Sequence, residues 1–271
     1  MVLESVLESP KPTYKPTERS DRLFGFGANI TQLSKDVRKV LTQGWYEFDA
    51  KNMHLAIVAA QWGAKEMHKY LSSSKNSFWK MILEYLKVPY SDDNKWLIKK
   101  HVYGLVYGAS KRNLIAGNDE IPGLNPSFSK WNDKAGEMFF NHPLIKDLYE
   151  AREEYYQICL NQGFVMDVYG AIHQVTRQNL RSKVSRVSQS VEQFLIYSIY
   201  ELTNQTDDFS IMLNQHDGVS IKFHDEKTKR FWIENICEVF NKKAAGLNIP
   251  TFLEYELNEV KDEVKSMSVL S

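Results

Sequence analysis

Two cysteines in 271 residues, Cys159 and Cys237, are too few and too far apart for a disulfide framework, and no Cys-x-x-Cys pair offers a structural zinc site. Both fall in stretches of helical periodicity, where buried free thiols are expected. No apolar run approaches the roughly 20 residues of a membrane span, and no signal-peptide pattern opens the chain. A cytoplasmic setting is expected, inside a host cell if the protein is virus-encoded. Excess charge of one sign is missing too: 34 Lys and Arg balance 34 Asp and Glu. That excludes a uniformly basic nucleic-acid binder. The balance hides a gradient, because Lys75, Lys80, Lys87, Lys95, Lys99, Lys100, Lys111 and Arg112 face only Glu84, Asp92 and Asp93, while the chain from Glu254 onward is acidic. Internal repeats and low-complexity segments are also lacking. Aromatic residues are plentiful, with 14 Tyr, 14 Phe and 6 Trp, and a 43% hydrophobic content supports the core of one or two domains.

Residues 1–21, with Pro10, Pro12 and Pro16, read as an extended leader. The alternation Trp45-Tyr46-Glu47-Phe48-Asp49 predicts a strand, and the apolar run after it a buried helix. Helical patterns follow over 64–72 and 76–87. Ser91-Asp92-Asp93 supplies caps for a helix over 94–116. Gly117 to Pro126 is a connector, and further helices are expected over 128–140 and 143–162. Residues 164–175 predict a hairpin turning near Tyr169-Gly170. A helix over 178–204 precedes a second hairpin, whose strands 210–215 and 219–223 flank the turn His216-Asp217-Gly218. A helix over 225–244 and a strand over 251–256 close the chain. The fold class is α+β, with helices dominant and a few strands carrying acids at their ends.

Asp49 ends a strand, and Asp217 tips a tight hairpin. Taken singly, the first is as readily a helix cap and the second a turn residue. If their strands are neighbours, the two carboxylates can share a pair of Mg²⁺ ions about 3.5–4 Å apart. Lys95, Lys99, Tyr103 and Tyr107 recur every four residues and align roughly along one helix face, ending at Gly108. Two cations followed by two rings suit triphosphate oxygens and a base or sugar.

These segments resemble the three motifs of family A DNA polymerases, the bacterial polymerase I type, in the family's order. Asp49-Ala50-Lys51-Asn52-Met53-His54-Leu55-Ala56 is similar to motif A, DYSQIELR. Lys95-x3-Lys99-x3-Tyr103-x3-Tyr107-Gly108 is similar to motif B, RxxxKxxxFxxxYG. Gln215-His216-Asp217-Gly218 is similar to motif C, VHDE. Weaker similarity covers Arg22-Leu23 and Asn29-Ile30-Thr31-Gln32, then Arg181, Ser185 and Gln189 (or Gln193), and a closing strand from Ile249 to Glu254.

The resemblance implies a right-hand palm, a small antiparallel sheet with helices, in two parts (22–62 and 163–271), and helical fingers over 63–162. It implies template-directed addition of dNTPs to a primer 3′ end without proofreading. Asp49, Asp217 and the Ala50 carbonyl would bind two Mg²⁺ ions, and Lys99 would hold the triphosphate and serve the leaving group. Lys95 and Tyr103 would contact the nucleotide, Tyr107 would stack near the templating base, and Arg22, Gly108, Gln189 and His216 would meet the primer-template. Two departures stand out. His54 replaces the Glu that closes the pocket against a 2′-hydroxyl, and Gly218 replaces the acid after the second aspartate.

Only 21 residues precede Arg22, too few for the family's thumb or exonuclease. A second subunit or second copy is the expected source of a thumb. Two alternatives stay open: an RNA polymerase or primase-like enzyme on the same palm, and an inactive DNA-binding subunit derived from a polymerase. Single-subunit phage RNA polymerases share the three motifs but carry Gly at the position of His54 and Met at that of Tyr103.

Overall fold

The computed structural model describes residues 12–17, 20–27, 29–73, 77–117, 128–215 and 217–259. Lys75, His216, most of the leader, most of the connector and the chain after 259 lie outside the described residues. In chain order the elements are β1 (Thr13–Thr17), β2 (Ser20–Phe26), α1 (Lys35–Leu41), β3 (Tyr46–Ala50), α2 (Met53–Trp62), α3 (Lys65–Ser73), α4 (Phe78–Tyr85), α5 (Asp92–Val106), α6 (Lys111–Ala116), α7 (Ala135–Asn141), α8 (Pro143–Gln162), β4 (Phe164–Met166), β5 (Ile172–Gln174), α9 (Leu180–Leu202), β6 (Phe209–Asn214), β7 (Gly218–Phe223), α10 (Lys229–Gly246) and β8 (Leu253–Leu257). Short 3-10 turns sit at Ile30–Gln32 and Phe128–Lys130. No described helix is long and apolar enough to cross a membrane.

The chain divides into two compact units. One holds the described residues up to Met53, Gln189–Leu247 and those from Thr251 on; the other holds His54–Ser188 and Asn248–Pro250. The sequence places these boundaries near 62 and 162 instead. The shift has a packing cause. Leu55, Val58 and Ala59 of α2, Val165 of β4, and Val184 and Val187 of α9 all bury their side chains in the helical core of the second unit.

The first unit is built on an antiparallel sheet in the order β6-β7-β3-β8. Strand alternation sends Phe48 and Ala50 of β3 into the core and leaves Asp49 outside. Tyr46, Phe223, Phe209 and Trp232 continue that core as a chain of edge-on and tilted ring contacts 5.3–5.9 Å apart. A separate hairpin, β1–β2, occupies part of the expected leader, with Thr13 opposite Phe26 and Tyr14 opposite Gly25. The one proline within its strands, Pro16, sits beside a register shift between Pro16 and Thr17, a place in a ladder where proline is tolerated. The Tyr14 hydroxyl accepts the Asn214 N–H at 2.8 Å.

The second unit is helical except for β4–β5. Its α2 is buried nearly all round, as its unbroken apolar run requires: Leu55, Ala56, Ile57 and Ala59 are fully inaccessible. Ser91 caps α5 by accepting the Asn94 N–H at 3.1 Å, and Asp92 and Asp93 sit in the first turn, where carboxylates favour the helix dipole. The helix expected over 94–116 is broken in two. The Tyr107–Ser110 segment leaves helical geometry, Gly108 has φ +84°, and Ser110 starts α6 by accepting the Asn113 N–H. The helix expected over 128–140 is likewise a 3-10 turn followed by α7. The expected hairpins 164–175 and 210–223, the long helix between them, the helix after the second and the closing strand are present.

Candidate active site

The candidate residues fall into two groups, one in each unit. In the first unit Asp49 is the penultimate residue of β3, one of the two inner strands of the sheet. It lies opposite Gly218 of β7 and Glu254 of β8. Because β3 and β7 are antiparallel, the end of one meets the start of the other. The Ala50 N–H donates to the Asp217 carbonyl at 2.8 Å. Asp217 is exposed at the tip of a turn closed by the Gln215 N–H donating to the Gly218 carbonyl at 2.9 Å. Asp49 is exposed as well. Residues 168 positions apart in sequence are thus held at one end of two paired strands.

Gly218 is the reason that end can close so tightly. A Cβ there would lie 2.0 Å from the Phe48 carbonyl oxygen and 3.1 Å from the Asp49 Cα. Backbone occupies the space a side chain would need, so the close approach of β7 to β3 requires glycine at this position. An open cleft of about 780 Å³ borders Asp49, and Arg38, Glu47, Gln215, Glu254 and Glu256 also line it. Its outer acids are paired: Lys51 meets Glu254 at 3.2 Å and Lys39 meets Glu256 at 3.1 Å. Glu47 accepts from Asn258 at 3.2 Å. Among the described residues no three His, Cys, Asp or Glu side chains group as metal ligands. Two carboxylates beside a backbone carbonyl fit Mg²⁺, which takes one or two carboxylates and fills its octahedron with water and phosphate oxygens.

In the second unit the four-residue spacing holds for Lys95, Lys99 and Tyr103 on α5, while Tyr107 falls one residue past the helix end. The rings form a ladder. Trp79 lies 6.1 Å from Tyr103, Tyr103 stacks 6.4 Å from Tyr107 at 27°, and Tyr107 lies 4.8 Å from the His54 ring. His54 is buried and Tyr107 exposed, so the tyrosine ring packs beside the imidazole. Lys99 sits with its Nζ 5.3 Å from the Trp79 ring centre, a cation–π contact that holds the ammonium at the head of the ladder. Trp79 is the participant that the sequence does not reveal; it belongs to no motif, and a buried Trp in an amphipathic helix looks like ordinary core.

Gly108 keeps its backbone in the left-handed region, and an added Cβ would meet the Tyr156 Oη at 2.8 Å and the Arg181 stem at 3.0 Å. The room at this glycine is therefore taken by Tyr156 and Arg181. Buried Arg152 fixes the turn from below, donating through Nη1 to the Leu105 and Ala109 carbonyls at 2.8 and 2.9 Å. The guanidinium thus satisfies the Ala109 carbonyl beyond the end of α5 and adds a bond to the Leu105 carbonyl, which already accepts the Gly108 N–H at 2.9 Å. Burial pushes the Tyr156 hydroxyl above its ordinary pKa against the pull of Arg152 and Arg181, which leaves it a neutral hydrogen-bonding group. Of the residues expected near the primer-template, Gln189 is largely buried on α9, Arg22 lies in β2, and His216 is outside the described residues.

No protein family and no curated protein matches this chain. Solved structures do. The POL domain of Pol1 from M. smegmatis, in complex with DNA primer-template and dNTP, matches with a TM-score of 0.71 at 14% identity. The chain has a polymerase fold. The match covers 94% of this chain but 50% of that one, so the chain spans half the length of the polymerase domain it resembles. At this identity the likeness shows the fold alone.

Proposed function

We propose that this chain is the palm and fingers of a template-directed DNA polymerase that adds dNTPs to a primer 3′ end. The observation that supports the proposal is that Asp49, opposite Gly218 in the ladder, and Asp217 lie at one end of β3 and β7, with the Ala50 N–H bonded to the Asp217 carbonyl at 2.8 Å. Asp49 and Asp217, with the Ala50 carbonyl, would hold Mg²⁺. Bound there, the ions supply activation of the primer hydroxyl and charge stabilisation of the leaving pyrophosphate. The chain's own part is positioning and electrostatics rather than covalent chemistry. Lys95 and Lys99 hold triphosphate oxygens, Tyr103 and Tyr107 present rings to the sugar and base, and His54, packed on Tyr107, guards the sugar edge. The first unit then corresponds to the palm and the second to the fingers.

Primer extension on a short DNA template with Mg²⁺, with dNTPs in one reaction and rNTPs in another, tests the proposal. Extension by dNTPs that is lost in Asp217→Asn with an unchanged circular dichroism spectrum is the expected result. Extension by rNTPs alone points to the RNA polymerase alternative. No extension by folded protein, alone or mixed with a thumb-bearing partner chain, leaves the inactive DNA-binding subunit.

A further inference from the structure

The sheet of the first unit has two outer strands, β6 and β8, and their free edges differ. β6 is bulged between Ile211 and Leu213, and its outward Asn214 N–H donates to the Tyr14 hydroxyl at 2.8 Å. Both features blunt an edge. β8 pairs with β3 in unbroken register, from Leu253 opposite Ala50 to Leu257 opposite Tyr46.

The ladder fixes which backbone groups of β8 face inward. The Lys51 N–H donates to the Phe252 carbonyl at 3.0 Å, and the Asn258 N–H to the Trp45 carbonyl at 2.9 Å. Bonding alternates along an antiparallel pair, so the N–H and C=O groups of Leu253, Tyr255 and Leu257 point away from β3. The Asn241 side chain of α10 takes the Leu253 N–H at 2.9 Å. Past it, Tyr255 and Leu257 present a straight edge with which no strand pairs among the described residues.

The side chains along this edge alternate too. Tyr255 packs beside the Phe48 and Tyr46 rings, at 5.7 and 6.3 Å between centres, yet is 53% exposed; Leu257 on the same face is 37% exposed. The other face carries exposed Glu254 and Glu256, exposed Glu259 follows, and residues 253–259 include no Lys or Arg. Lys51 and Lys39 meet the first two glutamates as surface ion pairs. Such pairs contribute little and exchange readily with an incoming cation.

We infer that the free edge of β8 is a docking site for an extended basic segment of a partner protein, which adds a strand to the sheet with apolar side chains against Tyr255 and Leu257 and lysines or arginines against Glu254 and Glu256. In strand addition the main-chain bonds supply affinity and the alternate side chains supply selectivity. Glutamates alone would mark an edge kept from pairing. The tyrosine and leucine between them give an incoming strand an apolar face to cover. A second copy of β8 in antiparallel pairing does not fit. Residues whose backbone faces the edge pair with their own kind, so at every such register glutamates stand against glutamates on one face. The inference does not rest on the polymerase proposal.

Fluorescence anisotropy with a labelled peptide of about eight alternating Lys and Val residues tests the site. Binding is expected, and an alternating Glu and Val peptide of the same length should bind at least about tenfold more weakly. N-methylation of the valines, whose N–H groups would face β8, should abolish binding, while N-methylation of the lysines preserves it. Glu254→Gln/Glu256→Gln should weaken binding about tenfold. Leu257→Pro removes an outward N–H without touching the β3 ladder and should weaken binding about fivefold. Both variants should keep the wild-type circular dichroism spectrum, and the N-methylated peptides test the site on the unaltered chain if a variant misfolds. No binding to the wild-type chain, wild-type affinity in both variants, or equal binding of the two N-methylated peptides overturns the site. So does a wild-type dimer in sedimentation that Leu257→Pro dissolves, which gives the edge to a second copy. Peptide binding seen only after removal of residues 260–271 gives the edge to the chain itself and overturns the site as well.

Discussion

Replacing Gly218 by alanine tests the link between strand pairing and chemistry more sharply than removing a carboxylate. The added Cβ falls 2.0 Å from the Phe48 carbonyl oxygen and 3.0 Å from its carbon. An ordinary carbon–oxygen contact needs about 1 Å more, and both partners are backbone, so no rotamer change relieves the clash. Either β7 withdraws from β3 or the Gln215–Gly218 turn opens. Each route strains or breaks the bond from the Ala50 N–H to the Asp217 carbonyl at 2.8 Å. Overpacking costs about 1–3 kcal/mol and one net backbone hydrogen bond about 1, giving roughly 2–4 kcal/mol of lost stability. Displacing Asp217 by about 1 Å from Asp49 should lower single-nucleotide incorporation on the order of 100-fold. Urea unfolding followed by circular dichroism gives the first number and rapid-quench incorporation the second. A Gly218→Ala protein within about 0.5 kcal/mol of wild type and equally fast would refute the close approach and its role in setting the carboxylate pair.

Gly108→Ala combines a left-handed backbone with contacts at 2.8 and 3.0 Å, so urea unfolding should show a loss of about 2–4 kcal/mol; a loss below about 0.5 would mean the turn is looser than described. His54→Ala removes the ring packed 4.8 Å from Tyr107 and should raise the rNTP-to-dNTP ratio of kcat/KM by about tenfold or more; an unaltered ratio removes the sugar-guarding role. Burial opposes ionisation of Asp167, but hydrogen bonds from His173 and from the Ala171 and Tyr169 N–H groups outweigh it and hold the carboxyl below its ordinary range. Its stabilising contribution is therefore complete above the ordinary pKa of about 3.9 and lost as pH falls through the lowered value. Asp167→Asn should remove that part of the acid sensitivity in urea midpoints measured from about pH 5 downward, and identical pH profiles for variant and wild type would count against it.

Most of the element list was legible because each signal is local. Alternation marks β3, an unbroken apolar run marks the buried α2, and Ser91 with Asp92 and Asp93 marks the start of α5. The break in α5 was written at Gly108 but outweighed by helical periodicity on either side; the left-handed φ of +84° decides it. The pairing of Thr13–Thr17 with Ser20–Phe26 was hidden by the prolines of the leader, of which Pro16 lies within a strand, at a register shift.

By itself the sequence determined the residue types at the site: two aspartates at strand ends, and a lysine–tyrosine series spaced for one face of a helix. Spacing along a chain governs which side chains share a face, and no more than that. Only tertiary structure decided that β3 and β7 are neighbours in the order β6-β7-β3-β8, because strand order depends on long-range pairing that no local pattern encodes. It also decided that Trp79 anchors Lys99 and Tyr103, and that Tyr156 and Arg181 fill the room left by Gly108. Each is a contact between segments distant in sequence, fixed by packing of the helical core rather than by the residues beside it.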